Sequence, residues 1–269
     1  MDPYPAGSGH VWQPEQSRLY LMNTQSFYPT LIPEDPQLAP PLAGGSFDQW
    51  REARRRDGRG GLNDAEKAEL ATLESHDFPS RALYGRYLRQ TLAGGLLERL
   101  PDGVEVTFHK ALAVAAQPVK GEKEYGFDVE LDNGETLTVG SVVLALGHIE
   151  SRLNPEQRSF KSAAEEQGLR YFPPAPPADV DWQAVPDNEP VLVRGGMGLN
   201  FFDVMGQLTE GGRGGKFVEA GTPGTGILEY RASGREPGSL QRPAGVPPLT
   251  ARRPGWRGGI TPAASPCAT

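Results

Sequence analysis

A glycine-rich loop at the start of the chain carries residue types that could hold a phosphate or a flat ring. It reads GSGHVWQPEQSRLYLMNT from Gly7 onward. Gly7 and Gly9 would let backbone N–H groups approach a phosphate closely, and Trp12 offers an aromatic stacking face. Asn23 and Thr24 offer side-chain hydrogen bonds. The alternative is a surface loop in which Trp12 fills part of the core.

A second candidate site lies in the stretch PVLVRGGMGLNFFD. A buried strand is predicted over 191–193, followed by a turn through Gly196 and Gly198 and a helix from about Leu199. This order places backbone N–H groups and the positive end of a helix at the edge of a sheet, where a nucleotide phosphate can bind. Phe201 stands where the dinucleotide fingerprint has a third small residue, so a tight turn without a ligand is the alternative.

The third stretch, TLTVGSVVLALGH, ends a predicted hairpin and continues into an uninterrupted apolar run. Such a run predicts a strand that is buried on both faces of a parallel sheet. Gly147 would let the chain turn beside a flat ligand. A core strand followed by an ordinary turn is the simpler interpretation of the same pattern.

Residues for acid–base or metal chemistry are not evident from their spacing. His10, His76, His109 and His148 are scattered without metal-ligand spacing. Serine, histidine and aspartate form no nucleophile-elbow pattern. The sequence therefore predicts binding loops and assigns no catalytic residue.

Hydrophobic spacing and breaker residues predict the elements that must position these loops. Helices are predicted for FDQWREARRR after Ser46, AEKAELATLES after Asn63 or Asp64, FPSRALYGRYLRQTLAGGLLERL, and EQRSFKSAAEEQG up to Gly168. Strands are predicted for GVEVTFHK and ALAVAAQ, and a hairpin for YGFDVELDNGETLTV across Asn133-Gly134. This mixture of helices and strands indicates an α/β fold.

Composition restricts the partners and the location. The 269 residues carry a net charge of −7, which argues against general nucleic-acid binding. Cys267 is the one cysteine, so no disulfide can form within the chain, which fits a cytoplasmic protein. No apolar run is long enough to span a membrane. Residues 231–269 are rich in glycine, proline and arginine without hydrophobic periodicity, which predicts a disordered tail.

Taken in order, several segments resemble one known family. They are DPYPAGSGHVWQPEQSRLYLMNT, SRALYGRYL, VVLALGH, VLVRGGMGLNFFDVMGQLTEGGRGGKF and YRASGREP, and the resemblance covers about residues 2–250. The family is the FAD/NAD(P)-binding family that includes FAD-dependent urate hydroxylase and the aspartate N-monooxygenases. The resemblance implies a flavoprotein that holds FAD in one Rossmann-like region and receives NAD(P)H at another.

The resemblance also implies a reason for the opening loop. In such proteins a strand, a G-x-G-x-x-G turn, a helix and a second strand come before the loop, and an acidic residue then binds the adenosine ribose. Asp2 matches that residue, so the first β-α-β unit is expected to be missing and FAD to bind poorly. The expected fold is α/β, with an incomplete three-layer Rossmann-like FAD-binding domain, a small antiparallel β region and a second β-α nucleotide turn.

The domain organisation and the function are expectations from the same resemblance. Residues 1–150 are predicted to form a partial FAD-binding region with a helical insert and a β meander, and 151–230 a second nucleotide-binding region. The implied function is an FAD- and NAD(P)H-dependent oxidoreductase of the monooxygenase type acting on a small molecule, or a fragment of one. A flavin reductase or dehydrogenase, and a non-catalytic remnant, stay open. The implied cofactor-binding residues are Asp2, Gly7, Gly9, Trp12, Asn23, Thr24, Gly147, Gly196 and Gly198. The substrate, the choice between NADH and NADPH and the oligomeric state are left undecided.

Overall fold

The structure, a computed structural model, describes residues 1–35, 37, 44–57, 60–120, 125–148, 151–194, 198–221, 227–237 and 239–242. Its helices are α1 (Phe47–Arg56), α2 (Asp64–Thr72), α3 (Arg81–Gln90), α4 (Pro155–Glu166), α5 (Leu199–Leu208) and α6 (Glu210–Arg213). Its strands are β1 (Ala113–Lys120), β2 (Tyr125–Leu131), β3 (Thr136–Val139), β4 (Val191–Arg194), β5 (Lys216–Glu219), β6 (Leu228–Arg231) and β7 (Ser239–Arg242). Along the chain, three helices come first, and short strands alternate with helices after them.

The first two helices begin at the capping residues predicted from the sequence. Ser46 caps α1 and Asn63 caps α2, each in a capping box with the residue three positions further on. α3 begins after Ser80, whose side chain accepts a hydrogen bond from the Leu83 N–H. The long helix predicted here is interrupted: after α3 the backbone winds through a π-helical segment, Thr91–Leu96, and a 3₁₀ turn, Leu97–Arg99.

The main hydrophobic core lies among these helices. It contains aromatic and leucine side chains of α1, α2 and α3, and Phe47, Leu70 and Leu83 are fully buried. Helical spacing in the sequence predicts an apolar stripe of Leu83, Tyr87, Leu88, Leu92 and Leu96; the first three are buried in this core, whereas Leu92 and Leu96 lie in the π-helical segment and are half-buried. The Phe47 ring meets the Tyr87 ring edge-on, with centroids 5.5 Å apart. This core is the surface against which the opening loop packs.

β1, β2 and β3 form an antiparallel meander in that order. β2 pairs with β3 in a register that sets Val129 opposite Leu137. In the turn between them Gly134 has φ +86°, and its N–H donates to the Leu131 carbonyl oxygen at 3.0 Å. The predicted hairpin is therefore confirmed, with a small core of its own that includes Val129 and Leu131.

Two segments predicted as strands are not strands in the structure. Residues 104–110 and 141–148 form no strand ladder with any described residue. Val106 and Phe108 are 43% and 54% exposed, and Val143 is 91% exposed. The prediction that VVLAL forms a strand buried on both faces is thus wrong for the described part of the chain. An apolar run becomes such a strand only where other strands pair with its edges and layers cover its faces, and no described segment does so.

The later part of the chain contains two small sheets. β4 pairs with β7 in parallel, and β5 pairs with β6 in antiparallel orientation. The strand predicted over 191–193 exists, but it is not buried: Leu192 is 64% exposed, because a two-stranded ribbon leaves one face open. β7 lies within 231–269, the segment predicted to be disordered, and 243–269 lies outside the described residues. Overall, the described residues form a mixed α/β structure with small sheets.

A hydrogen-bonded turn follows β6 in the stretch YRASGREP. Glu236 accepts hydrogen bonds from the Tyr230 hydroxyl at 2.7 Å and from the N–H groups of Ser233 and Gly234 at 2.7 and 2.9 Å. Burial raises the pKa of Glu236, but these hydrogen bonds outweigh it and lower the pKa to about 2.

We expect this turn to lose stability in acid. The unfolded carboxyl titrates near its ordinary value of 4.5 and the folded one near 2. The stabilising contribution of ionised Glu236 is therefore complete above the ordinary value and is lost as the pH falls through about 2. A carboxyl NMR titration of the full chain should show this low midpoint, and Glu236→Gln should remove it. A midpoint at the ordinary value would show that the hydrogen bonds are not maintained in solution.

Candidate functional site

The opening loop adopts a backbone that favours glycine. Gly7 and Gly9 have φ values of +97° and +54°. A Cβ atom at Gly7 would lie 3.1 Å from the Arg89 Cα atom, so the loop approaches helix α3 closely there. Among the described residues, a Cβ atom at Gly9 would meet only an Asp2 carboxylate oxygen, at 4.0 Å. One side of Gly9 is therefore open.

Asp2 is held beside the loop by two hydrogen bonds that involve the backbone. Its N–H donates to the His109 carbonyl oxygen at 3.1 Å, and one carboxylate oxygen accepts from the Tyr4 N–H at 2.9 Å. The other carboxylate oxygen is the one that lies nearest to Gly9. The structure thus brings together Asp2 and Gly9, two of the residues predicted to contact FAD.

Arg89, near the end of α3, fixes the loop through three side chains. Its guanidinium donates to the Ser8 hydroxyl at 3.0 Å, the Gln13 amide oxygen at 2.9 Å and the Glu15 carboxylate at 2.8 Å. Burial raises the pKa of Glu15, but hydrogen bonding to Arg89 and the charge of Arg89 outweigh it, so that pKa lies below its usual range. Sequence reasoning missed Arg89, because an arginine at a helix end usually faces solvent.

Gly85 permits the closest contact between the loop and the helix. A Cβ atom at Gly85 would lie 1.7 Å from the Trp12 carbonyl oxygen, so only glycine fits at this position of α3. The Trp12 ring is half-buried and meets the Tyr84 ring edge-on, with centroids 5.3 Å apart. The Trp12 ring thus packs against the helical core, and its stacking on a ligand stays a prediction.

His10 links the loop to a distant part of the chain. Its Nε2 atom lies 2.7 Å from an Asp179 carboxylate oxygen, and its ring stacks on the Tyr4 ring with centroids 4.8 Å apart. The two paired side chains are 26% and 36% exposed, so both can be reached from solvent. A histidine paired with a carboxylate can hold or transfer a proton. No sequence pattern signals this pair, because its members are 169 residues apart.

Two further contacts join the opening stretch and α3 to the later part of the chain. The Tyr20 hydroxyl donates to the Pro177 carbonyl oxygen at 2.9 Å and accepts from the Trp182 indole N–H at 2.9 Å. Arg81 forms an ion pair with buried Asp203 at 2.7 Å. Burial raises the pKa of Asp203, an effect that the Arg81 charge reduces but does not cancel. The later part of the chain therefore contacts the opening stretch at Tyr20 and α3 at Arg81.

Asn23 and Thr24 lie between two anchored residues. The N–H groups of Met22 and Ser26 donate to the carbonyl oxygens of residues just before α3, at 2.8 and 2.9 Å. The Asn23 side chain is exposed and that of Thr24 is half-buried. Neither side chain has a hydrogen-bond partner in the described part of the chain, and no described contact joins them to the glycine loop. The side chains of Asn23 and Thr24 can therefore hydrogen-bond to a ligand, and their contact with the cofactor stays a prediction.

The glycines predicted for the domain crossing, Gly147, and for the second nucleotide turn, Gly196 and Gly198, are partly described. Gly147 has φ +61° and open space around the position of a Cβ atom, within the exposed segment 141–148. Gly198 caps α5 in an ordinary extended conformation, with φ −80° and ψ −177°, and without a side-chain capping bond. A Cβ atom at Gly198 would meet nothing within 4 Å. Gly196 lies outside the described residues.

The described residues contain neither a metal-ligand cluster nor a membrane-spanning helix. Their histidine, cysteine, aspartate and glutamate side chains form no group of three that could hold a metal ion. None of their helices combines the length and the apolarity needed to cross a bilayer. The candidate site is thus built from loop backbone, hydrogen-bonding side chains and the His10–Asp179 pair.

One protein family matches the first part of the chain. The family is described as FAD-NAD(P)-binding, and it matches residues 1–149. This range is more than half of the chain and contains the opening loop, the helices α1 to α3 and the β meander.

Curated relatives match over most of this chain. L-aspartate N-monooxygenase (nitrosuccinate-forming) of Streptomyces davaonensis is 38% identical over 249 residues, which cover 88% of this chain and 37% of that protein. Nitrosuccinic acid synthase of Aspergillus oryzae is 36% identical over 240 residues, covering 88% of this chain and 33% of that protein. A second L-aspartate N-monooxygenase, of Streptomyces cremeus, is 36% identical over 249 residues and is covered to 35%. The chain spans about a third of the length of these relatives.

Proposed function

Because this chain belongs to the FAD-NAD(P)-binding family, we propose that it contributes the cofactor-binding part of a flavin-dependent monooxygenase. The resemblance drawn from the sequence is confirmed at the level of the family. The relatives are named as L-aspartate N-monooxygenases and a nitrosuccinic acid synthase. Since the chain spans about a third of their length, the site described above must support the activity proposed for it.

The opening loop carries the proposal. Two glycines with positive φ, a carboxylate and an open side occur within one hydrogen-bonded loop, which Arg89 holds against α3. We assign backbone N–H groups at Gly7 and Gly9 to the FAD pyrophosphate and the Asp2 carboxylate to ribose hydroxyls. When bound, the flavin supplies the redox chemistry that no protein side chain provides.

Other residues near the loop would complete the site. Trp12, Asn23 and Thr24 offer an aromatic face and side-chain hydrogen bonds to the flavin end of the cofactor. The His10–Asp179 pair, which lies beside the same loop, would hold a proton at the His10 ring during turnover. The loop and the helices behind it would exclude water from one side of the cofactor.

We assign the NAD(P)H site to the start of α5. Gly198 supplies no side-chain cap to this helix. The Phe201 N–H donates to the Gly198 carbonyl oxygen at 3.0 Å, and the N–H groups of Leu199 and Asn200 would bind a phosphate. Gly196 would belong to the same turn, and Gly147 would lie at the crossing between the two regions. In this proposal 1–150 form the FAD region, in three layers, and 151–230 form the nicotinamide region, to which β7 of the predicted tail 231–269 adds a strand beside β4.

The proposed substrate is a small molecule, and L-aspartate is the first to test because the relatives are named for it. The test is a titration of the full chain with FAD, then measurement of NADH or NADPH oxidation and oxygen uptake with and without L-aspartate. FAD binding with aspartate-dependent oxygen uptake supports the proposal. Oxidation that needs an added acceptor would indicate a flavin reductase or dehydrogenase. No FAD binding would contradict the proposal and favour a non-catalytic role.

We expect Arg89→Gln to weaken FAD binding about tenfold. The variant loses the charge-assisted hydrogen bonds to Ser8 and Glu15, so the loop must be ordered when FAD binds. Because Glu15 is 65% exposed, solvent screens much of this loss, and the expected net cost is about 1.4 kcal/mol, which corresponds to tenfold. Lys161→Gln, which removes the same charge from exposed α4, is the control and should bind FAD unchanged. Equal FAD affinity in both variants would show that the loop held by Arg89 is not part of the FAD site.

We expect Gly198→Val to weaken NAD(P)H binding about tenfold while the fold is kept. The backbone at Gly198 is ordinary and the space around it is open, so a larger residue is tolerated by the protein but would block a phosphate. Gly198→Ser is the control, because serine is small and is a favoured helix cap. Fluorescence titration measures the NAD(P)H dissociation constant of each variant. Unchanged NAD(P)H binding in the valine variant would show that this turn connects β4 to α5 without binding a phosphate.

A further inference from the structure

A pocket of about 430 Å³ lies where α1 meets the end of α3. Its lining includes Trp50 and Arg54 of α1, Gln90 at the end of α3, and Arg99 in the 3₁₀ turn. The proposed FAD and NAD(P)H sites use none of these residues.

Two arginines give the pocket a positive charge. Neither Arg54 nor Arg99 forms an ion pair with a described residue, whereas Arg51 and Arg55, on the same helix as Arg54, do. The Arg54 Nε atom is buried and has no hydrogen-bond partner within the described ranges. No acidic residue belongs to the described lining. Two guanidinium groups without a described carboxylate partner, in a lining without a described acidic residue, give the pocket the character of an anion site.

Gln90 adds a neutral donor with a fixed direction. The Trp50 indole N–H donates to the Gln90 amide oxygen at 3.0 Å. Because an indole N–H can only donate, the oxygen of Gln90 must face Trp50, and the Gln90 NH₂ group faces away from it. This NH₂ group has no acceptor within the described part of the chain. It can therefore donate to an oxygen of a ligand in the pocket.

The wall opposite α1 has an unusual backbone. It contains Gly94 and Gly95, which lie in the π-helical segment Thr91–Leu96. Short π-helical segments often occur at functional sites. A Cβ atom at Gly94 would meet only a Glu98 carboxylate oxygen among the described residues, at 4.0 Å, and both arginines belong to the lining of this one pocket.

We propose that this pocket binds a small dicarboxylate, with Arg54 and Arg99 each pairing with a carboxylate and Gln90 donating a further hydrogen bond. The planar guanidinium group matches the two oxygens of a carboxylate. Preference for a four-carbon dicarboxylate over other small anions depends on the proposed function, in which L-aspartate is the substrate. Arg89 binds the opening loop and Gln90 lines the pocket, so neighbouring residues of α3 would connect this ligand to the FAD site.

The experiment is calorimetric titration of the full chain with L-aspartate, succinate or inorganic phosphate at constant ionic strength, without FAD or NAD(P)H. We expect L-aspartate and succinate to bind, and Arg54→Gln and Arg99→Gln each to weaken binding about tenfold or more. Arg99 is exposed, so its variant keeps the fold even if the Arg54 variant does not. Arg56→Gln, an exposed arginine of the same helix, is the control and should bind both dicarboxylates unchanged.

Three outcomes would overturn the proposal. They are no binding of either dicarboxylate, tighter binding of phosphate than of both, and equal weakening by Arg56→Gln, which would indicate a general charge effect. The cofactors are absent from this titration, so its result does not depend on whether the opening loop binds FAD. If neither dicarboxylate binds in this titration but oxygen uptake with FAD depends on aspartate, the substrate binds at another site and the proposed function still holds.

Discussion

Gly85→Ala is expected to lower the free energy of unfolding by about 2–3 kcal/mol. The new Cβ atom would lie 1.7 Å from the carbonyl oxygen and 2.7 Å from the carbonyl carbon of Trp12. Both are backbone atoms, so no side-chain rotation relieves the clash, and the loop must move away from α3. The better helix propensity of alanine, worth about 1 kcal/mol, acts in the opposite direction and is too small to compensate. Urea unfolding followed by circular dichroism measures the change.

Gly206→Ala is the matched control for this variant. Gly206 also lies inside a helix, α5, but a Cβ atom there would meet its nearest neighbour, the Leu19 Cβ, at an ordinary 3.6 Å. We expect this variant to be neutral or slightly more stable, because only the propensity gain remains. FAD affinity should fall in the Gly85 variant alone, since only that substitution displaces the loop. Equal stability of the two variants would show that the loop does not pack on α3 in solution.

Elements specified by neighbouring residues could be predicted from the sequence. Ser46 and Asn63 cap helices because their side chains reach an N–H three residues further on. The turn at Asn133-Gly134 needs a positive φ that glycine adopts without strain. In these cases the interactions that decide the structure lie within a few positions of one another. The sequence pattern therefore contains the information needed.

The incorrect predictions concern elements that need distant partners. The apolar runs in 104–110 and 141–148 have the composition of strands, but a strand is formed by its hydrogen-bonded neighbours, and the described chain provides none for them. The exposure of Leu192 has a related cause: among the described residues β4 pairs only with β7, and a two-stranded ribbon leaves a face uncovered. Apolar composition indicates what a segment can bury and does not indicate what covers it.

In the candidate site, some residues could be predicted from the sequence and others could not. The glycines of the opening loop could be identified from the sequence, because residue type alone suggests their backbone freedom. The groups that hold the loop, Arg89, Gly85 and Asp179, could not, because each acts on residues more than 70 positions away. The pocket arginines were also missed. FDQWREARRR contains four arginines that look alike in the sequence. Only the fold distinguishes the buried Arg51, the exposed Arg56 and Arg54, which has no ion-pair partner within the described ranges.

Arg51 is the arginine on which the first two helices depend. Its side chain is 1% exposed. The guanidinium donates to the Leu73 carbonyl oxygen at 2.6 Å, just after α2, and to the Ser75 hydroxyl at 3.1 Å. It also pairs with Asp48 and Glu52, each at 2.8 Å. One buried cation thus joins α1 to the segment between α2 and α3. The same helix also lines the pocket that contains Arg54 and Arg99.

Arg51→Met is expected to lower the free energy of unfolding by about 3–5 kcal/mol. Methionine keeps the apolar stem, but it leaves the Leu73 carbonyl without this donor and Asp48 without its cation partner. Arg56→Met is the control, because Arg56 is exposed at the end of the same helix and should change stability by less than about 0.5 kcal/mol. Since buried pairs are weakly screened, the difference between the two variants should persist when urea unfolding is repeated at about 1 M salt. A difference that disappears in salt would mean that Arg51 is hydrated in solution, and the junction of α1 with α2 would then be looser than the structure describes.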